Sequence, residues 1–177
     1  MTKIFITFAL LISFSVFSYA FDLFGSNDDD EKVETTFDKN PGQNISTERF
    51  GDWTVICDRA TNQCNSSISL VNEDKLEVLS VRVIPTSNNE VVFIIKSPLG
   101  VKIRHGIQII ITNKLFQIPY DTCDVGGCVS SIKSSKEILT LLRKEDIATF
   151  RFHNSRNVKV DIPISLKGFS KALRKIL

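Results

Sequence analysis

Histidine is almost missing from this 177-residue chain: His105 and His153 are the two present, beside one tryptophan, one methionine and four cysteines. Nucleophilic hydrolysis needs a base poised beside a serine or cysteine. Both histidines fall in strand-like stretches, one directly after Arg104 and the other immediately before Asn154, and no G-x-S-x-G elbow accompanies them. Catalysis would require His105 or His153 to meet several carboxylates in a pocket. The acid pairs Asp52 and Asp58, and Glu73 and Asp74, read instead as solvated turn residues. Adjacent glycines occur once, at Gly126-Gly127 inside "CDVGGC", where a turn within six positions demands permissive backbone, so no phosphate loop is implied. Beyond residue 20 no uninterrupted apolar run is long enough to span a bilayer. There is no internal repeat.

What is present begins with "MTKIFITFALLISFSVFSYA": one charge at Lys3, an apolar run, then Ser18-Tyr19-Ala20 with small residues placed for cleavage. Residues 1–20 are therefore expected to be a secretory signal peptide. No cysteine follows Ala20, which removes the anchoring site of a lipoprotein. Export makes Cys57, Cys64, Cys123 and Cys128 an even set of thiols in an oxidising compartment, where they pair. Zinc is the rival, but its ligand pairs usually sit two to four residues apart, whereas six residues separate the first pair here and four the second. Neither metal nor cofactor is expected. Three pairings are open. Loop entropy gives a short bridge about 2 kcal/mol and a bridge between the pairs about 4 kcal/mol, whereas proximity during folding favours Cys57 with Cys64 and Cys123 with Cys128.

Residues 21–48 differ from the rest. Extended to Arg49, the stretch holds eight acids against three bases, with Pro41-Gly42 and little apolar content, as an acidic disordered linker would. From Phe50 onward 18 bases face 12 acids. These bases are scattered, without an aromatic and basic stacking surface, so nucleic acid is not an expected partner. "NIS" at Asn44 and "NSS" at Asn65 match glycosylation sequons, relevant only in a host that glycosylates.

Within 49–177 the pattern is mainly β. "VKVDIPISL" places Val158, Val160, Ile162, Ile164 and Leu166 on one face, and Pro163 argues for an edge or a bulge. "NSRN" joins it to "ATFRFHN" as a hairpin. "LEVLSVRVI" and "EVVFIIKS", separated by "PTSNN", form another. "VKIRHGIQIIIT" (101–112) is expected as one strand that turns at Asn113-Lys114 into "LFQIPY". Trp53, Val55 and Cys57 share a face of an earlier strand, with Trp53 packed inside, and "CNSSISLV" is the next. Seven or more strands with regular turns indicate a sandwich or barrel. In "SSKEILTLLRKE" the Ser134 to Glu137 spacing suggests a capping box and a short helix near 135–145. "GFSKALRKIL" is a basic amphipathic helix near 168–177. It is expected to dock on its own sheet, although such an end can also lie on anionic membranes.

Taken in order, "FGDWTVICD" with a second cysteine soon after, "SPLGVKIRHGIQIII", "IPYDTCDVGGCVSSI" and "ISLKGFSKAL" resemble the bacterial invasion-associated locus B family. The likeness runs from about Arg49 to Leu177 and leaves out the acidic arm. It implies an immunoglobulin-like β-sandwich, export to the periplasm or outer envelope, and the local cysteine pairing. It links the family to host-cell entry without a mechanism. The expected function is a non-enzymatic interaction or accessory module with an envelope or surface protein partner, the two cysteine loops offering the first contact surface. An envelope hydrolase or a carrier holding a small ligand between its sheets are the alternatives.

Overall fold

In a computed structural model, residues 44–88 and 90–177 are described. The expected signal peptide and the arm as far as residue 43 lie outside them. Eleven strands follow in chain order: β1 (Ile45–Phe50), β2 (Trp53–Asp58), β3 (Gln63–Val71), β4 (Glu77–Pro85), β5 (Val91–Ser97), β6 (Ile107–Ile111), β7 (Lys114–Ile118), β8 (Thr122–Asp124), β9 (Gly127–Lys133), β10 (Ile147–His153) and β11 (Lys159–Ser165). Helix α1 (Lys136–Lys144) precedes β10, and α2 (Phe169–Ile176) follows β11. A seven-stranded antiparallel sheet has the order β1-β2-β3-β4-β5-β9-β8, and a four-stranded one the order β11-β10-β6-β7. The fold is a mainly β sandwich.

Period-2 alternation explains the layers, because successive side chains leave a strand on opposite faces. Strand β4 buries Leu79, Val81 and Val83, β5 buries Val91, Phe93 and Ile95, β6 buries Ile107, Ile109 and Ile111, and β10 buries Ala148, Phe150 and Phe152. Those inner faces form a continuous core. A void of about 10 Å³ is left among Trp53, Val81, Phe93, Ile109, Phe150, Ile164 and Phe169, roughly the least space that admits one water. The carrier reading needs an internal cavity of ligand size, and this space between the sheets is filled by side chains.

Seven strands offer a broader face than four cover, and α2 packs on β1, β2, β3 and β4. Phe169, Ala172, Leu173 and Ile176 point inward while Lys171, Arg174 and Lys175 stay exposed. The terminal helix therefore spends its apolar face on its own sheet. Gly168 makes the approach possible: it has φ +86°, and a Cβ there would collide with the Phe50 carbonyl.

Pro163 sits on β11, an outer strand paired with β10 alone, where the missing N–H breaks no ladder. Three details depart from the sequence reading. The stretch 101–112 is not one strand: Val101 makes an isolated bridge to Asn154, Ile103–His105 form a 3-10 turn, and β6 starts only at Ile107. Gly106 is the reason, because its φ of +60° leaves the extended region and lets the backbone press against the Ile118 carbonyl. The cap of α1 is Ser135, whose Oγ accepts the Ile138 N–H at 3.2 Å. Ser134 is instead held by its own N–H donating to the Val91 carbonyl at 2.9 Å, which continues the β5–β9 pairing one residue past Lys133. Finally, Ile45–Glu48, assigned to the arm of 21–48, belong to β1 and pair with β2. An outer strand tolerates this polar stretch: Ile45 and Thr47 stay exposed, and Glu48 forms an ion pair with Lys175 at 2.7 Å.

Candidate interaction surfaces

Cys57 and Cys64 stand directly opposite one another in the β2–β3 ladder, with Cα atoms 4.0 Å apart and their sulfurs bonded. Asp58 organises the turn beyond them: its carboxylate accepts the Ala60 N–H at 2.8 Å and the Thr61 hydroxyl at 3.0 Å. Asp58 is thereby a turn-forming residue. The other acids weighed for catalysis are placed similarly, Asp52 in the β1–β2 turn, and Glu73 and Asp74 in the β3–β4 turn, all exposed.

Cys123 and Cys128 repeat the arrangement across β8 and β9, again at 4.0 Å. The Gly126 N–H donates to the Asp124 carboxylate at 2.7 Å. Gly127, at φ +132°, lies so near the Ser97 carbonyl that a Cβ would come within 2.5 Å of it. Between them Val125 projects with 99% of its surface exposed, whereas Cys128 is buried. The registers put the two turns at opposite ends of the large sheet: the first lies beyond Asp58 and Gln63, at the end where Pro85 faces Val91, and the second beyond Ser97 and Cys128. The two cysteine loops are separate projections, not one joint surface.

Trp53 lies between the sheets. It is 1% exposed, its indole N–H donates to the Ser165 carbonyl on β11 at 3.1 Å, and its ring meets the Phe169 ring edge-on at 4.9 Å. One side chain thus joins β2, the opposite sheet and α2.

His105 and His153, 48 residues apart in sequence, come together with ring centroids 4.3 Å apart. Backbone contacts set the approach. The Lys102 N–H donates to the His153 carbonyl at 2.8 Å, and Gln117 donates its side-chain amide to the His105 carbonyl. Loss of hydration, then the positive surroundings of His105, Lys159 and Arg151, pull His153 below the ordinary imidazole range. Arg151 holds Asp161 through two hydrogen bonds of 2.5 and 2.6 Å, which lower the Asp161 carboxyl and raise the guanidinium. The histidines meet each other rather than the acids a hydrolytic site would need. Among the described residues no group of three or more His, Cys, Asp or Glu is placed to hold a metal. The sequence pattern concealed this pairing, although one signal was legible: neither 91–120 nor 147–160, the segments that supply the two rings, contains an acid.

A family model described as "Invasion associated locus B (IalB) protein" matches residues 53–177. Among solved structures the chain is similar to the crystal structure of invasion associated protein B from Bartonella henselae, at 20% identity and a TM-score of 0.68, with 73% of this chain and 94% of that chain covered. That likeness is one of fold. A comparison with curated proteins finds no match.

Proposed function

The chain belongs to the invasion associated locus B family, and from that premise we propose that it is an exported interaction or accessory module of the bacterial envelope, working by contact rather than catalysis. The observation that carries this reading is the pair of bridges, Cys57–Cys64 and Cys123–Cys128, each joining neighbouring strands. Such bonds persist in oxidising compartments and are rare in a reducing cytosol. An N-terminal segment built like a secretory signal supports the same compartment. Among the described residues no helix is long and apolar enough to cross a membrane.

The second hairpin is the proposed contact point with an envelope or surface protein. Val125, an apolar side chain standing free at its tip, is held out by a clasped turn. A rigid projection loses little conformational freedom on binding, which favours recognition. The test has two parts. Fractionation of the native bacterium should recover the chain, shortened by its first 20 residues, outside the cytoplasm with both bridges formed; a cytosolic, reduced chain of full length would refute the proposal. A photo-crosslinker at position 125 should then trap a defined envelope protein, and Cys123→Ser with Cys128→Ser should abolish that adduct. The same crosslinker at Ala60 serves as the comparison, and equal adducts at both positions would remove the second hairpin from the interface.

A further inference from the structure

The chain contributes two acid-free segments to one end of the smaller sheet. Residues 91–120 bring Lys102, Arg104 and His105, and residues 147–160 bring Arg151, His153, Arg156 and Lys159. Their union is structural. Val101 bridges to Asn154, His153 pairs with Lys159 across β10 and β11, and the two imidazoles lie 4.3 Å apart. Lys102, Arg104, His105, Arg156 and Lys159 are all exposed. Uncharged Gln108 and Gln117 approach from β6 and β7, with the Gln108 side-chain amide donating to Gln117 at 2.8 Å. Asp161 is an acid at this face, and Arg151 already engages it.

Single apolar side chains on a protein surface are ordinary. Here three accompany the cations on the same connecting segments: Leu99 at 56% exposed, Ile103 at 59% and Val158 at 54%. Ile103 stands between Lys102 and Arg104, and Val158 directly precedes Lys159. Cations beside exposed apolar groups suit a surface that offers phosphate outside and hydrocarbon beneath. The basic terminal helix cannot serve this way, because its apolar face is buried on the large sheet.

We infer that this end of the smaller sheet, centred on His105 and His153, docks on an anionic lipid surface, with lipid phosphates over the paired imidazoles and Leu99, Ile103 and Val158 entering the headgroup layer. The cations have the charge complementary to phosphate. His153, stripped of some of its hydration and surrounded by cations, resists protonation, and a phosphodiester beside it relieves that repulsion. Docking therefore strengthens as pH falls below the ordinary imidazole range and His153 gains its proton, while the phosphodiester stays ionised throughout.

The test is co-flotation of the chain, purified from the bacterial envelope, with vesicles of phosphatidylglycerol and phosphatidylcholine or of phosphatidylcholine alone, at about pH 5.5 and about pH 7.5. Binding is expected with the anionic vesicles and to be stronger at the lower pH. Lys102→Gln with Lys159→Gln should weaken it about 25-fold, since each basic residue near an anionic surface contributes about fivefold. His153→Gln should abolish the pH dependence while leaving thermal stability near neutral pH in place. Lys136→Gln with Lys144→Gln, an equal loss of charge on α1, should have little effect. Equal binding to both vesicle types, equal losses from the two lysine pairs, or displacement by excess inorganic phosphate would overturn the inference, the last by identifying a soluble anion as the ligand.

Discussion

Two ring contacts of similar separation do opposite work in this molecule. Trp53 and Phe169 meet at 4.9 Å inside the core, and His105 and His153 meet at 4.3 Å at the end of the smaller sheet. The first pair is 1% exposed on both sides, and its polar handle, the indole N–H, is satisfied across the sheets. The second is ringed by cations and remains open to solvent. Ring proximity alone therefore says nothing about role. Burial and the charge of the neighbours decide whether a pair holds the fold or faces a partner.

If that division is right, substitutions in the first pair should cost far more stability than substitutions in the second. Trp53→Ala should lose about 3–5 kcal/mol in denaturant unfolding, as truncation of a buried aromatic does; a loss below about 1 kcal/mol would mean that Trp53 does not join the layers. Removing the Cys57–Cys64 bridge by Cys57→Ala with Cys64→Ala should cost about 2 kcal/mol by loop entropy, measured in the same way. Ser135→Ala should cost about 1 kcal/mol, whereas Ser134→Ala should leave the α1 terminus capped, a contrast that amide exchange at Ile138 resolves.

The smallest effect belongs to the exposed pair. His153 is held below its ordinary value, so the unfolded chain takes up its proton first as pH falls. The stability His153 contributes is present above about pH 6.5 and is lost as pH drops toward the lowered folded value. His153→Gln should change the melting temperature little near neutrality. It should narrow the gap between melting temperatures at neutral and mildly acid pH. A variant that widened that gap would show His153 raised rather than lowered.

The alternation of Val160, Ile162, Ile164 and Leu166 was readable as a strand because these positions pack on the same core, whereas Val158, just ahead of β11, is exposed. Trp53 was equally readable, since Val55 shares its face two residues on. The stretch 101–112 misled for a local reason: Lys102 and Arg104 alternate with Val101 and Ile103 as in a half-buried strand. Only the backbone at Gly106 shows that the chain turns there. The β1 strand was hidden by composition, because an outer strand with polar residues on both faces looks like linker. The histidine contact is non-local, and no window along the chain joins positions 48 residues apart. The opposite placement of the two cystine turns likewise depends on strand order, which the spacing of cysteines does not carry.

The most direct test of an exported, oxidised sandwich is non-reducing mass mapping of cysteine peptides from the chain as recovered from the native envelope. Peptides linked through Cys57 with Cys64 and through Cys123 with Cys128 are the expected result; free thiols, or a bridge from one hairpin to the other, would contradict it.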